Sequence, residues 1–467
     1  MRLQLDTGVR RYGDGRVLLG GAPVRLLRLG VTGARLLDDW IAGTPVADET
    51  APRSFARRLL DAGIVHPAAE PGAATNSLVT LIVPVRDNQE GLARLLASTI
   101  GIEHRIVVDD GSGAPLPNAT VRHRCPRGPA AARNSGRKCA TTPLLAFLDS
   151  DVLPDPGWLD HLLPLFDDPA VAAVAPRVRS LATGPVGPYE MLRSALDMGA
   201  EPASVRPDGR VRYVPGAALI VRADALEVVG GFDETLRYGE DVDLVWRLVT
   251  AGYSVRYQPL STVRHEPRDS FRAFLRQRFG YGTSAAALAR RHPNLLHATR
   301  LPAPSAGNFV LALLAALPAV VTLDRARLGP GTLARYTIGV AGFAVAVALP
   351  ATSPSLRTVR SLRDRNVPLH DAVVVAATGR LALVRQLADT VRRVWWPFAL
   401  CSRRGRALLG LAWAAAAIEC MSENSSVAVR FADEVAYGLG VWTGCLGHRC
   451  LTPLLPRFHR ILEEPTL

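Results

Sequence analysis

Residues 144–151 read LLAFLDSD, a short apolar run that passes directly into alternating acidic residues. A continuous run of this length is typical of a strand buried in a covered parallel sheet. The extended segment after it brings the carboxylates of Asp149 and Asp151 near one point, where they repel unless a hard cation such as Mg²⁺ or Mn²⁺ lies between them. A surface loop is the alternative, because the Asp-Ser-Asp motif alone is common.

Further apolar runs surround this strand between residues 78 and about 265. Residues 81–83 read LIV and residues 106–108 read IVV, and each run ends in a polar or glycine-rich turn. Strands that alternate with helices in this way predict a Rossmann-like α/β domain. Ligands of such sheets gather beyond the carboxyl ends of the strands, so we expect the functional site there.

Two of these strands lead into further acidic segments, PVRDN (residues 84–88) and DDGS (residues 109–112). Carboxylates at the strand ends, as in Asp109 and Asp110, can accept hydrogen bonds from a base edge and a ribose. Gly111 allows the backbone to turn sharply and approach a ligand. The alternative is structural, because Asp and Ser at such positions also cap helix N-termini.

A third acidic cluster, YGEDVDL (residues 238–244), opens an apolar-faced helix. One of its carboxylates is a candidate general base toward an acceptor hydroxyl, although acids in a first helical turn also favour the helix dipole. His265 follows an apolar segment and is a candidate metal ligand, or else a hydrogen-bonded histidine without one. Arg133, on a small-residue helix, could reach a carboxylate or phosphate, or face solvent.

Residues 1–70 predict a separate small unit. A hairpin is expected around Asp14-Gly15, a helix follows Thr32, and Ser54 is expected to cap a second helix before a strand at Ile64-Val65. Two strands with short helices suggest a winged-helix-like α+β domain. Residues 67–76, rich in Pro, Gly, Ala and Thr, are typical of a linker.

Residues 300–467 predict an apolar helical region. Residues 301–323 and 336–356 contain no charged residue and are long enough to cross a bilayer. They predict a membrane hairpin, with buried or interface-lying helices as the alternative. Arginines are more frequent on the flanks than in the loop between, which favours cytoplasmic flanks. The N-terminus lacks a signal-peptide pattern, so we expect a cytoplasmic catalytic part at the inner face of the membrane.

The formal net charge of +13 suits a phosphorylated ligand, an anionic membrane surface or nucleic acid. No basic run interleaves with aromatic residues, so we expect no nucleic-acid binding. Six cysteines without a CxxC pair are typical of a reducing compartment. Cys445, His448 and Cys450 lie close in sequence, but no second half of a metal site accompanies them, so packing or surface roles are favoured.

Taken in order, these motifs resemble glycosyltransferase family 2, whose members have the GT-A fold. The resemblance covers residues 78–281 and rests on the segments IVPVRDN, VVDDGS, AAARNSG, FLDSD, PGAALIVR, GGFDE and GEDVDL. It implies a nucleotide-sugar-binding GT-A domain at residues 77–285. It also implies a metal-dependent, inverting transfer of a hexose from a nucleotide-diphosphate donor.

The resemblance assigns roles to particular residues. It implies uracil and ribose contacts from Asp109 and Asp110, a base role for Asp241, and a divalent metal, Mg²⁺ or Mn²⁺, held by Asp149, Asp151 and His265. The remaining donor-side candidates are Pro84, Val85, Asp87, Gly111 and Arg133. The candidates for the wall near the sugar and acceptor are Pro215, Gly216, Ala217, Glu240, Arg276 and Arg278.

The whole chain also resembles the group of these enzymes that acts in mycofactocin biosynthesis, through residues 15–29, 56–67 and 436–457. This implies glucose transfer from UDP-glucose to a peptide-derived redox cofactor or its precursor, with residues 1–70 as a peptide-recognition domain. The segment RQRFGY (residues 276–281) departs from the Q-x-x-R-W of processive polymerases. A cell-envelope polysaccharide glycosyltransferase and a non-catalytic nucleotide-sugar- and peptide-binding adaptor are the alternatives.

Overall fold

The computed structural model describes residues 1–68, 76–302 and 358–459. Residues 1–68 contain a three-stranded antiparallel sheet in the order β2-β3-β4, a separate β1–β5 pair and two helices. The helices contribute Leu37, Trp40 and Leu59 to the core of this unit. The elements are β1 (Leu3–Leu5), β2 (Arg10–Tyr12), β3 (Val17–Gly20), β4 (Arg25–Arg28), α1 (Val31–Ile41), α2 (Thr50–Asp61) and β5 (Val65–Pro67).

The predicted hairpin around Asp14-Gly15 is confirmed, since Tyr12 pairs with Val17 and both turn residues have positive φ. The predicted cap is wrong: α2 begins at Thr50, so Ser54 lies inside the helix. The sheet contains more strands than the two predicted, because the residues 25–28 also pair. The winged-helix-like assignment stays a prediction.

The N-terminal unit packs against the rest of the chain on two sides. On one side, Arg57 of α2 lies 2.6 Å from Asp168 of the α/β domain. On the other, Val17 and Leu19 of β3 share a buried cluster with Leu362. The second contact covers part of a face of the three-stranded sheet, whose edges are β2 and β4.

His66 of β5 is buried, with Nε2 2.8 Å from the carboxylate of Asp6. Burial lowers the pKa of His66 below its ordinary value of 6.5, although Asp6 opposes this effect. The folded protein therefore binds a proton here less readily than the unfolded chain, and we expect the free energy of unfolding to decrease as the pH falls below about 6.5. Denaturant melts at several pH values test this, and His66→Gln should flatten the dependence.

A mixed nine-stranded sheet forms the centre of the α/β domain. Its order is β10-β14-β11-β13-β9-β6-β7-β8, with β12 paired to β14. The strands β9, β6, β7 and β8 run parallel, which confirms the predicted sheet. The strands are β6 (Val79–Val85), β7 (His104–Asp109), β8 (Val121–Arg122), β9 (Leu144–Leu148), β10 (Val152–Pro154), β11 (Val171–Ser180), β12 (Ala203–Ser204), β13 (Ala218–Arg222) and β14 (Ser254–His265).

Helices cover the sheet on both faces, and two apolar clusters separate the layers. Because β6, β7 and β9 are parallel, the loops after them meet at one edge of the sheet. The helices of this domain are α3 (Gln89–Ser98), α4 (Pro129–Arg137), α5 (Gly187–Arg193), α6 (Ala223–Val228), α7 (Glu240–Thr250) and α8 (Phe271–Arg291).

The C-terminal region is helical, as predicted, and packs on α8. Glycines allow α8 and α12 to approach closely: a Cβ added to Gly282 would lie 2.1 Å from the carbonyl of Tyr437, and one added to Gly440 would lie 2.1 Å from that of Phe279. The elements are β15 (Thr299–Pro302), α9 (Leu369–Arg393), α10 (Trp396–Leu400), α11 (Arg403–Ser422), α12 (Val427–Gly447) and β16 (Pro456–His459).

The prediction of an apolar C-terminal region is not confirmed, because its interior contains buried charges. Glu434 of α12 is ion-paired with Arg392 at 2.8 Å and with Arg430 at 3.1 Å, and all three side chains are buried. The two predicted membrane spans fall almost wholly outside the described residues. Among the helices that are described, none is both long enough and apolar enough to span a bilayer.

Candidate active site

A cavity of about 880 Å³ opens at the carboxyl ends of β6, β7 and β9. Loops of the α/β domain form one side, and α8, α9 and α12 form the other. Of the residues predicted from the sequence, it brings together Pro84, Val85, Asp110, Arg133, Asp149, Asp151, Pro215, Gly216, Ala217, Glu240, Asp241, His265 and Arg278. Asp87, Asp109, Gly111 and Arg276 are not part of its lining.

The two acids that follow β7 differ in their surroundings. Asp109 is 0% exposed, and its carboxylate accepts hydrogen bonds from the backbone of Ser112 (2.8 Å) and Leu116 (3.2 Å) and pairs with Arg122. Burial alone would raise the pKa of Asp109, but these bonds lower it. A donor contact from Asp109 would require breaking them, so the geometry favours a role in shaping the loop.

Asp110, in contrast, faces the cavity. Its carboxylate accepts hydrogen bonds from the backbone N–H groups of Arg127 (2.9 Å) and Gly128 (2.8 Å), and lies 2.7 Å from Nδ1 of His123. These bonds hold the loop before α4 against the strand end. Asp110 is therefore placed to contact a ligand in the cavity while it also fixes the adjacent wall.

Asp87 and Gly111 lie outside the cavity and stabilise the loop between β7 and β8. The carboxylate of Asp87 accepts a hydrogen bond from the N–H of Gly113 (2.8 Å), and its own N–H donates to Ser112 (2.9 Å). Gly111 has φ +71°, and an added Cβ would lie 2.7 Å from the backbone of Cys125. Both residues shape the loop between β7 and β8.

Asp151 and His265 lie together, but Asp149 does not join them. Val152 pairs with His265 across β10 and β14, which brings Nε2 of His265 to 3.5 Å from Asp151. Asp149 instead lies 2.7 Å from Arg133. In the parts of the chain that are described, no three His, Cys, Asp or Glu side chains converge as a set able to hold a metal ion. The predicted three-residue set is thus present only as a pair, and Cys445, His448 and Cys450 form no such set.

Arg133 connects two of the acidic clusters. It is 2% exposed, and its guanidinium lies 2.7 Å from Asp149 and 2.8 Å from Glu240, while its Cζ sits 5.4 Å from the ring centre of Phe232. Burial alone would lower the pKa of Arg133, but the two carboxylates raise it above its ordinary value. The predicted solvent-facing alternative is therefore wrong.

Asp241 is the acid of the third cluster that faces the cavity with its oxygens held by backbone N–H groups. Oδ2 accepts from Gly216 at 2.7 Å and Oδ1 accepts from Val242 at 2.8 Å. Asp243 is buried and paired with His292 (2.9 Å) and Arg247 (2.8 Å). Asp243 is therefore unsuited to the chemistry, and Glu240 is paired with Arg133, which leaves Asp241 as the candidate base.

The predicted wall at residues 215–217 acts through its backbone. The carbonyl of Ala217 accepts a hydrogen bond from the N–H of Asp149 (3.0 Å). The N–H of the preceding residue, Gly216, donates to Asp241. The segment thereby spans the distance between the first and third acidic clusters. Sequence patterns did not reveal this, because both contacts are made by main-chain atoms.

A side chain at Gly216 would be crowded. A Cβ there would lie 3.1 Å from Cβ of Asp241 and 3.3 Å from the guanidinium of Arg133. We expect Gly216→Ala to lower kcat by about tenfold, because displacing reacting groups by a fraction of an ångström is costly. Steady-state kinetics test this, with Gly379→Ala as a control at a helical glycine that has open space around it. Unchanged kcat would contradict a tight contact.

Helix α8 contributes Arg278 but not Arg276 to the cavity. Arg276 is exposed, so its assignment to the wall is wrong: α8 turns it away from Arg278. Arg278 forms a two-point ion pair with Asp433 of α12 (2.5 and 2.8 Å), and Tyr189 donates to the same carboxylate at 2.8 Å. Asp433, Tyr437 and Arg393 line the cavity and were missed from the sequence, because their helices are distant along the chain.

Comparisons with known proteins agree with this arrangement. A family model described as "Glycosyltransferase like family 2" matches residues 79–281. Proteins named pre-mycofactocin glycosyltransferase, from two strains of Mycobacterium tuberculosis, are each 38% identical over 485 residues, with 97% of both chains covered. A poly-beta-1,6-N-acetyl-D-glucosamine synthase of Staphylococcus aureus is 29% identical over 138 residues, which cover 29% of this chain and 33% of that protein.

Among solved structures, a mannosyltransferase from Pyrobaculum calidifontis, in complex with GDP-Man and Mn²⁺, matches with a TM-score of 0.39 and 20% sequence identity. The match covers 67% of this chain and 90% of the mannosyltransferase.

The mixed sheet, the acid-lined cavity at its edge and the family match define a glycosyltransferase of family 2 with a GT-A-type α/β fold. The resemblance inferred from the sequence motifs is thereby confirmed, and the non-catalytic adaptor is excluded as a class. With 38% identity along 97% of its length, the chain belongs to the pre-mycofactocin glycosyltransferase family.

Proposed function

We propose that this enzyme transfers a hexose, glucose from UDP-glucose, with inversion onto a hydroxyl of mycofactocin or its peptide-derived precursor. One observation carries the proposal: Asp241 and the Asp151–His265 pair open into the same cavity, with the backbone of residues 215–217 between the clusters. A base on one side of the reacting carbon and, on the other, a cation site able to hold the leaving diphosphate are what a single displacement requires.

The residues divide the work in this mechanism. Asp241 accepts the proton of the acceptor hydroxyl, whose oxygen forms a bond to the anomeric carbon from the face opposite the leaving group. The bond between that carbon and the diphosphate oxygen breaks, and its electron pair leaves with the diphosphate. The N–H of Gly216 and the N–H of Val242 hold the carboxylate of Asp241 in place throughout.

The residues at the donor end fit a divalent cation. Asp151 offers a carboxylate and His265 a ring nitrogen 3.5 Å away, both at the cavity wall, and oxygen and imidazole ligands suit Mg²⁺ or Mn²⁺. Two protein ligands leave positions for donor oxygens. When bound, such a cation would neutralise charge on the diphosphate. Asp149 stays a proposed ligand, because its present partner is Arg133.

The acceptor assignment rests on the name that the two Mycobacterium tuberculosis relatives carry. We assign recognition of the peptide-derived part to residues 1–68, where β2 and β4 are the edges of the sheet. Strand β3 pairs on both sides and therefore offers no free edge. An extended peptide would add to one of the outer strands.

Mass spectrometry of reactions with purified protein tests the proposal. We expect a hexose-bearing product when UDP-glucose, Mg²⁺ or Mn²⁺ and the precursor are present together. Other nucleotide sugars serve as controls for the donor, and an unrelated peptide as the control for the acceptor. Transfer from a different donor would overturn the assignment of UDP-glucose, and transfer to polysaccharide primers alone would favour a cell-envelope enzyme.

We also propose contact with the inner face of the cytoplasmic membrane. In α11 the apolar side chains of Leu411, Ile418 and Met421 are exposed, and Arg403 and Arg404 lie at the start of the same helix. Apolar surface beside arginines suits an anionic lipid surface. We expect the protein in the membrane pellet after a high-salt wash, since apolar burial is insensitive to screening. Recovery in the supernatant without salt would contradict membrane contact.

A further inference from the structure

Polar contacts of Arg133 join four groups near the candidate base, and the mechanism above assigns no role to Arg133. The guanidinium of Arg133 contacts Asp149, Glu240 and the carbonyl of Gly216, the last at 3.3 Å. The N–H of the same Gly216 donates to Asp241. One arginine therefore contacts both Gly216, which donates to the base, and Glu240, which precedes it in the chain.

We propose that Arg133 is a positioning residue for Asp241, acting through Gly216 and Glu240, and not a ligand of the sugar donor. The proposal rests on the assigned role of Asp241 as the base. Arg133 was expected to contact the donor phosphate. In this proposal it instead orients the carboxylate of Asp241, which accepts the proton of the acceptor hydroxyl.

Both terminal nitrogens of Arg133 already have acceptors, whereas its buried Nε has no hydrogen-bond partner among the described residues. One terminal nitrogen is 2.8 Å from Glu240, and the other is shared between Asp149 and the Gly216 carbonyl. The face of the guanidinium lies against Phe232, and the side chain is 2% exposed. A phosphate would have to displace Asp149, whose side chain is 32% exposed, or Glu240, which is buried and would then be left unpaired at a cost.

Two routes lead from Arg133 to the base. In the first, Arg133 donates to the carbonyl of Gly216, and the N–H of Gly216 donates to Oδ2 of Asp241. In the second, Glu240 is the first residue of α7 and immediately precedes Asp241, so its ion pair with Arg133 fixes where the helix begins. Gly239, the residue before Glu240, has φ +81°, a left-handed conformation outside the helical range. Both routes set the direction of the Asp241 carboxylate.

Steady-state kinetics and donor binding separate a positioning role from donor binding. We expect Arg133→Lys to lower kcat by about 10²-fold, because a lysine cannot span three acceptors and small displacements of a catalytic group are that costly. The Kd for UDP-glucose, measured by calorimetry without acceptor, should change by less than about twofold, well under the tenfold that 1.4 kcal/mol of lost binding would give. Loss of donor affinity with unchanged kcat would overturn the proposal.

Glu240→Gln provides a second test if Arg133→Lys fails to fold. Glutamine keeps the shape and one acceptor for Arg133 but removes the charge, so we expect a smaller fall in kcat with the same unchanged donor Kd. Chemical rescue adds a further readout: guanidinium ion should restore part of kcat in Arg133→Ala. The absence of both effects would overturn the proposal.

Arg137→Lys is the matched control, since Arg137 lies on the same helix and pairs with the exposed Glu227 at 2.7 Å. We expect wild-type kcat there. Failure of the proposed base is distinguishable: if Asp241→Asn stays active, the mechanism is wrong. If Asp241→Asn is inactive while Arg133→Lys loses only donor affinity, the positioning role alone is wrong.

Discussion

Asp241→Asn should lower turnover by about 10²–10⁴-fold, the range typical of removing a general base. Asparagine keeps the size of the side chain and one oxygen to accept the N–H of Gly216, but it cannot take the acceptor proton. Donor binding should survive, because Asp241 is hydrogen-bonded to Gly216 and Val242 and not to Asp151 or His265, the proposed donor end. Single-turnover transfer and UDP-glucose binding, measured on the same preparation, check both expectations.

A matched control for Asp241→Asn is Glu227→Gln, an acid that is largely exposed and distant from the cavity lining. It should keep wild-type turnover. Near-normal activity of Asp241→Asn would remove Asp241 from the mechanism and direct attention to Glu240, since Asp243 is buried against His292 and Arg247.

Asp151→Ala should abolish the dependence of donor binding on Mg²⁺ or Mn²⁺ and lower turnover by about 10²–10³-fold. Charge stabilisation by a metal ion is worth several kcal/mol, and each ~1.4 kcal/mol is tenfold in rate. Asp151 is the carboxylate beside His265, so its removal leaves His265 without a neighbouring carboxylate while Asp149 stays paired with Arg133. Calorimetric titration of UDP-glucose with and without each ion measures the dependence.

Asp208→Asn, an exposed acid outside the cavity, controls for the change in net charge. Normal turnover of Asp151→Ala in chelator-treated buffer would contradict the metal assignment. Loss of turnover with an unchanged metal dependence would mean that Asp151 serves the site through Arg268, which lies 3.4 Å from it.

Local patterns were sufficient to predict the sheet and its edge. Apolar runs such as residues 144–148 suit strands buried in a covered sheet, and parallel pairing places their carboxyl ends on one side. Asp110 and Asp151 reach the cavity for that reason, whereas Asp241 reaches it from the start of α7. His265 follows because β14 pairs with the short strand after Asp151.

Patterns failed where a partner distant in the chain decides the outcome. Asp109 and Asp110 are adjacent and identical in type, but only the loop closing over Asp109 through Leu116 and Arg122 shows which one lines the cavity. Asp149 looks like a metal ligand until α4 brings Arg133 against it. In the same way, Asp433 reaches Arg278 only because α12 packs on α8, and the sequence around Arg278 does not predict that packing.

The close approach of α8 and α12 bears on attempts to recombine this enzyme with its relatives. The family match ends at residue 281, within α8, whereas Arg393, Asp433 and Tyr437 complete the cavity from beyond that boundary. A chimera cut at the family boundary would join one parent's half of α8 to another's α12, where Gly282 and Gly440 leave no clearance for a substituted residue. The unit of exchange that keeps the cavity whole therefore extends through Gly447.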